Sequence, residues 1–315
     1  MYKLVWYIVG LVCILYVISH CYTRLINTYF IKSKCINYDI YLEQYIQVIS
    51  DNNYYMNYGL WDKDNMLLMD ANINLANFIF DKINQHQLNG SNKNMLDIGC
   101  GYGDQDILWH KQLNDTCKIT AIDISEKQIN FACQNRDKQL IPNTKLVFDI
   151  CDAMNVHTQY KGQLFDTVIC LESAFHYQNR PLFFKNVSTL LQPDGIFVIG
   201  DIVLNNNNAK LDYPRQVFMN LFMRIFSDFL NMPQDNLIVE NEWHSHLTSS
   251  GFQIVEKDNI TENTFIPYYN NFFKIYIKKQ NLPEWIADTL IYIFNYTQPF
   301  SYVIAVCKMK PEMQI

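Results

Sequence analysis

From residue 94 onward the chain alternates short apolar runs with segments of helical periodicity, and this pattern narrows the possible folds more than any other feature. The predicted strands are Asn94–Ile98, Lys118–Ile122, Lys145–Phe148, Thr167–Leu171, Ile196–Asp201, Phe252–Val255 and Tyr302–Val306. Continuous apolar runs between helices are what a sheet buried on both faces produces, so the expectation is an α/β domain with a doubly wound, mostly parallel sheet. Ser125, with Gln128 three residues on, reads as a capping box that opens the helix after the second strand. Ahead of these runs, Met66 to Ile83 carries Leu67, Leu75, Phe78, Ile79 and Ile83 near a helical period.

The densest motif is Met95-Leu96-Asp97-Ile98-Gly99-Cys100-Gly101-Tyr102-Gly103, where a strand ends and a helix begins. Glycines at such a junction let the backbone turn sharply and approach a ligand. A dinucleotide loop shares the pattern, but it wants its third glycine where Asp104 stands, and its pyrophosphate is opposed by nearby carboxylates. Asp97 before the first glycine and Asp104 after the last suit a ligand that carries an ammonium and a sulfonium.

Further motifs follow in order. Asp123 ends the second strand and is placed to accept two ribose hydroxyls. In Val147-Phe148-Asp149-Ile150-Cys151-Asp152-Ala153-Met154, Asp152 is a candidate for an adenine amino group. Its competing reading is a helix cap, with Asp149 the rival for the base. Phe165 to Glu172 forms the fourth strand, whose end adjoins the glycine loop, and Leu190 to Ile199 contains a Pro193-Asp194-Gly195 turn before the fifth.

At these residues the chain resembles the class I S-adenosylmethionine-dependent methyltransferases, whose successive motifs match the series from Asp97 through Gly195. The resemblance spans roughly residues 94 to 310. It is nearest to the small-molecule and lipid branch that holds tocopherol, sterol and cyclopropane-fatty-acid synthase-type enzymes. It implies a Rossmann-like sheet of order 3-2-1-4-5-7-6 with the last strand antiparallel, and S-adenosylmethionine as cofactor. Asp97, Gly99, Gly101, Gly103, Asp123, Ile124, Asp152, Ala153 and Leu171 would then contact it. The Tyr58-Gly59-Leu60-Trp61 segment resembles a lid on the methionine end, although Tyr58 and Trp61 also suit plain core aromatics.

Glu172-Ser173-Ala174-Phe175-His176-Tyr177 follows the fourth strand and faces the transferred methyl. His176 is a candidate base, because imidazole titrates near neutral pH, with a structural histidine as the alternative. Glu172 is a second catalytic candidate whose role is open among base, cation-binding group and structural acceptor. The Asn/Asp-Pro-Pro-Tyr/Phe signature of enzymes that methylate nucleobase amino groups is absent, and no bicarbonate site of the cyclopropane type is identifiable.

The rest of the chain bears on setting. Leu4 to Ile18 is apolar without a break, just long enough to cross a thin bilayer. No small residues stand at a cleavage position, so residues 1–22 read as a single-pass anchor ahead of a cleaved signal or a buried helix. Arg24, Lys32 and Lys34 after the run outnumber Lys3 before it, which places the body in the cytosol. Residues 23–93 read as a linker and N-terminal helical lid segment, and 94–315 as the methyltransferase domain. Two insertions, Tyr213–Leu230 and Phe265–Tyr296, are rich in aromatic and aliphatic residues, and Pro283 divides the second. They suit either core helices or an apolar lid over a lipid-like substrate. Net charge is −6, which offers no footprint for nucleic acid. The nine cysteines contain no CxxC pair, which excludes a clustered zinc site and implies reduced thiols. The expected reaction is methyl transfer to a hydrophobic small molecule or lipid at a membrane surface. A soluble-metabolite methyltransferase and a catalytically silent membrane scaffold are the competing readings.

Overall fold

All seven predicted strands are present and join one sheet. A computed structural model describes residues 54–63, 66–87, 94–114, 116–205, 223, 227, 231–273 and 284–311. The strands are β1 (Asn94–Ile98), β2 (Lys118–Asp123), β3 (Leu146–Ile150), β4 (Phe165–Leu171), β5 (Leu191–Leu204), β6 (Phe252–Asn259) and β7 (Phe300–Met309). Their order is β3-β2-β1-β4-β5-β7-β6. The pairings from β3 through β5 are parallel, and β7 runs antiparallel to both β5 and β6. The order and the reversed last strand match the Rossmann-like expectation.

Several strands exceed their apolar runs, because backbone pairing and not hydrophobicity sets their ends. β5 and β7 stay paired from Ile196 opposite Lys308 to Leu204 opposite Phe300. β3 begins one residue later than expected and ends two later, since Asp149 pairs with Ile122 and Ile150 with Asp123. The Pro193-Asp194-Gly195 turn lies inside β5. Leu191 pairs with Phe165 and Ile196 with Thr167, so residues 192–195 loop out of the ladder. A proline, which has no N–H to give a neighbour, is tolerated at such a bulge.

Helices cover both faces. On one side α1 (Leu68–His86), α2 (Asp104–Leu113) and α3 (Glu126–Lys138) bury Leu75, Ile79, Trp109 and Ile129 against Met95, Ile119 and Ile196. The helix expected over 66–83 is α1, and it belongs to this core, with Ala71, Leu75, Ala76, Ile79 and Ile83 on its inner stripe. On the other side lie α4 (Val156–Gln159), α5 (Arg180–Ser188) and α6 (Glu240–Ser249), which pack Phe183, Phe184, Trp243 and Leu247 on Phe197 and Phe252. Each such side chain contributes roughly 1.5–3 kcal/mol by leaving water.

Ser125 caps α3 as expected, its Oγ accepting from Gln128 N–H at 3.2 Å. The reciprocal half of the box is replaced. Ser125 N–H donates to Asp123 Oδ1 at 2.9 Å, so the strand-end acid takes the place of the Gln128 side chain.

The anchor expected over residues 1–22, and the linker after it, lie outside the described residues. Among those described, no helix is long and apolar enough to cross a membrane. The first insertion lies outside as well, apart from Met223 and Ser227. The second forms α7 (Thr261–Tyr268), a π-helical turn at Tyr269–Phe273, and α8 (Glu284–Thr297). Pro267 breaks the α-helical bonding inside α7, and the helix widens directly after it.

A buried ion pair locks the second face. Arg180 donates to Asp201 Oδ2 at 2.9 Å and to the Asn236 carbonyl at 2.6 Å, and Trp243 Nε1 donates to the same carboxylate at 2.7 Å. Both charged side chains are wholly enclosed. Asp201→Ala would leave the guanidinium buried and unpaired, so urea denaturation is expected to show a loss of about 3–5 kcal/mol.

Candidate cofactor and active site

The glycine loop hangs from β2. Gly99 and Cys100 donate N–H to the Ile122 carbonyl at 2.8 and 3.0 Å, and Gly101 donates to Asp123 Oδ2 at 3.0 Å. Gly99, Gly101 and Gly103 hold φ of +86°, +59° and +79°, a region that disfavours any Cβ. Space separates them further. A Cβ on Gly99 would lie 2.3 Å from Ser173 Oγ, and one on Gly103 would lie 2.6 Å from the Phe148 ring. A Cβ on Gly101 meets only Met56 Cγ at 3.6 Å and Gln128 Nε2 at 3.8 Å. Two glycines therefore serve packing, and Gly101 alone of the three faces room for a ligand.

Carboxylates surround that room. Asp97, the next-to-last residue of β1, is fully buried; its Oδ2 accepts from Gln105 Nε2 at 2.6 Å. Asp97 Oδ1 and Asp104 Oδ2 are buried and meet no donor. Burial pushes the Asp104 carboxyl up to about 7 and raises Asp97 as well. Orphaned acceptors of this kind fit the ammonium of S-adenosylmethionine, and the open side of Gly101 fits a ligand passing close to backbone. The residues present therefore suit that cofactor.

At the ribose and adenine end, Asp123 already accepts from Gly101 and Ser125, which aims its carboxylate along the loop. Ile124 is 52% exposed and Ile150, in register with Asp123 at the end of β3, is 49% exposed. Two exposed isoleucines at one sheet edge offer an apolar surface to a flat ring. Ile150 escaped notice in the sequence because it lies beyond the predicted strand, which ends at Phe148, between the two acids Asp149 and Asp152. Asp152 caps a short 3₁₀ turn, with Oδ1 accepting from Met154 N–H at 2.9 Å, and Ala153 is buried beside it. Its rival Asp149 is engaged with Tyr160, whose hydroxyl donates at 2.8 Å.

The segment from Tyr54 to Trp61 straps across this edge. Met56 lies over Gly101, and Tyr58 N–H donates to both Glu172 oxygens, at 2.9 and 3.1 Å. Tyr302 of β7 donates its hydroxyl to Glu172 Oε1 at 2.8 Å. The Tyr58 ring packs edge-on against Phe265 and Tyr268, at 5.3 and 4.7 Å between centroids. Trp61 is 3% exposed and donates Nε1 to the Tyr58 carbonyl at 3.0 Å, so it braces the strap from within the core. Glu172 itself sits at φ +54°, a strained setting for a side chain with a Cβ, and burial pushes its carboxyl up to about 8. Phe265 and Tyr268 fall in the second insertion, for which the sequence left core helix and apolar lid open, whereas Tyr302 had no signal because the apolar run around it reads as a strand.

His176 ends a 3₁₀ turn after β4, with its ring against Phe175 and Nδ1 3.1 Å from the Asn231 carbonyl. Donation from Nδ1 leaves the lone pair of the neutral ring on Nε2, and burial lowers the imidazole pKa, which favours that neutral form. Asn236 Nδ2 holds the turn by donating to the Phe175 and Tyr177 carbonyls, at 2.9 and 2.8 Å. Leu171 is buried at the strand end below. These contrasts separate binding from packing. Gly101→Ala is expected to fold and lose at least tenfold in S-adenosylmethionine affinity by calorimetry. Gly99→Ala is expected to lower the thermal midpoint, because Ser173 must move.

Comparison with known proteins agrees with this geometry. The methyltransferase-domain family matches residues 89–258, more than half of the chain. The chain is 27% identical over 215 residues to erythromycin 3''-O-methyltransferase of Saccharopolyspora erythraea, covering 68% of this chain and 67% of that one. It is 25% identical to 27-O-demethylrifamycin SV methyltransferase of Amycolatopsis mediterranei, covering 72% and 76%. Among solved structures, geranyl diphosphate methyltransferase in complex with S-adenosylmethionine superposes with a TM-score of 0.61 at 16% identity, over 82% of this chain and 99% of that one. A glycine loop with orphaned acids, a matching strand order and a match across both place this chain in the class I methyltransferase family, as an S-adenosylmethionine-dependent enzyme acting on small molecules.

Proposed function

We propose that the enzyme methylates an oxygen of a hydrophobic small molecule or lipid presented at a membrane surface. The observation that carries this reading is the aromatic enclosure of Tyr58, Phe265, Tyr268 and Tyr302 around Glu172, beside the glycine loop. An apolar acceptor gains by leaving water for such a wall. The O-methyltransferase similarity and the apolar run Leu4–Ile18 support the oxygen and the membrane, respectively.

S-adenosylmethionine supplies an activated methyl on sulfur, and its transfer is an in-line displacement that depends on alignment. In this chain the backbone at Gly101 and the acids Asp97 and Asp123 bind and orient the cofactor, with Ile124, Asp152 and Ala153 around the base. The strap at Tyr54–Trp61, latched through Glu172, excludes water from the reacting end. His176 Nε2 receives the proton of the acceptor hydroxyl. Glu172 is a positioning group in this reading, because its oxygens are engaged by Tyr58 and Tyr302.

The test is mass spectrometry of lipid extracts from cells with and without the protein, grown on methyl-labelled methionine. A labelled hydrophobic product that depends on the protein supports the reading, and label confined to water-soluble metabolites overturns it. With an acceptor in hand, His176→Ala is expected to lower single-turnover transfer by ~10²–10⁴-fold while cofactor affinity stays constant. Residues 1–22 are proposed as a single-pass anchor with the body in the cytosol. Release of the full chain from membranes by carbonate would overturn that part alone.

A further inference from the structure

Three aspartates crowd the start of α2 with no cation among them. Asp97 and Asp106 are both 0% exposed, and among the described residues no ion pair reaches Asp97, Asp104 or Asp106. Asp97 Oδ1 and both Asp106 oxygens are buried without a hydrogen-bond partner, and Asp97 stands near enough for its charge to raise the Asp106 carboxyl. Two carboxyls approach in this way only when one of them carries a proton. Nothing in the packing requires an acid at position 106. The side chain is wholly enclosed beside Ile107 and Trp109, where an apolar residue is the ordinary occupant.

We propose that Asp106 is the second half of the cofactor's ammonium site: with Asp97 it shares one proton when the site is empty, and that proton leaves to solvent when the ammonium docks. The inference rests on the methionine end of the cofactor lying at Asp97. One O–H bond of the pair breaks, the proton passes to the buffer, and the pair goes from one negative charge to two as the ammonium supplies one positive charge. The charge of the enclosed site is therefore unchanged by binding, which avoids burying a net cation or a bare dianion.

Desolvation raises both carboxyls, and each is raised further by a neighbouring carboxylate. The groups that face the pair are Asp123 from β2, Cys100 from the loop, and Asp104 and Gln105 from α2. Tyr55 lies above, its hydroxyl 3.4 Å from the Asp104 carbonyl. Neither lysine nor arginine is among them. Asp104 is raised as well, and a proton released from it would survive Asp106→Asn.

The experiment is calorimetry of the full chain with S-adenosylhomocysteine, which keeps the ammonium but has a neutral sulfur. Binding is measured near pH 7 in phosphate and in Tris, whose ionisation heats differ. The enthalpies are expected to differ by the release of roughly 0.5–1 proton per site. Below the titration of the pair, affinity is expected to fall about tenfold per pH unit. 5′-Methylthioadenosine, which lacks the ammonium, is expected to bind with no buffer dependence. Asp106→Asn is expected to abolish the release and flatten the pH profile. Equal enthalpies in the two buffers would overturn the proposal while leaving the cofactor site intact. Failure of S-adenosylhomocysteine to bind at all would instead remove the cofactor site itself. Release with methylthioadenosine, or release that survives Asp106→Asn, would also overturn the proposal. If Asp106→Asn does not fold, the two ligands on the wild-type chain decide it.

Discussion

The carboxylate of Asp123 is the interaction on which the site depends. One oxygen receives the N–H of Gly101 and the other the N–H of Ser125, so a single side chain at the end of β2 sets both the glycine loop and the start of α3. Each charge-assisted bond is worth roughly 1.5–3 kcal/mol, more than an ordinary backbone contact. The same acid is the one proposed for the ribose. A group that shapes the loop and is proposed to contact the ligand would account for an ionisable residue where a strand end would otherwise tolerate many polar side chains.

A second acid organises the reacting end. Glu172 joins elements far apart in sequence, receiving Tyr58 from the N-terminal strap and Tyr302 from the last strand while itself extending from β4. It does so from a backbone conformation that a residue with a Cβ avoids. Strain and a buried carboxyl are both destabilising, and their coincidence at the mouth of the site is the pattern expected where stability yields to function. The aromatic rings around it supply the compensating burial. Covering this edge also explains why the strap is built from Tyr, Met and Trp, although it precedes the sheet in sequence.

The two faces of the sheet divide the work. The face holding α1, α2 and α3 carries the cofactor loop and its acids, whereas the opposite face is locked by Arg180, Asp201, Trp243 and Asn236. That lock reaches the site indirectly, because Asn236 also pins the carbonyls on either side of His176. The imidazole is thus held by the rigid half of the molecule and faces a half that must admit ligands.

The sequence by itself determined the seven strands, their order through the family resemblance, the loop at Gly99–Gly103 and the acids that close each strand. These are written in local patterns: apolar runs, glycines at a junction, and an acid after a run. The tertiary structure alone decided what each residue is for. Gly99 and Gly103 look like Gly101 in sequence, but Ser173 and Phe148 occupy the space beside the first two. Glu172, whose role the sequence leaves open among base, cation-binding group and structural acceptor, is held by Tyr58 and Tyr302, and Gln128 of the expected capping box is displaced by Asp123. Asp106 drew no attention as one more polar residue in a helix until its burial against Asp97 became visible. The physical reason is common to all of them. Local backbone preference depends on neighbours along the chain, whereas burial, clash and hydrogen-bond satisfaction depend on atoms that the fold brings from tens or hundreds of residues away.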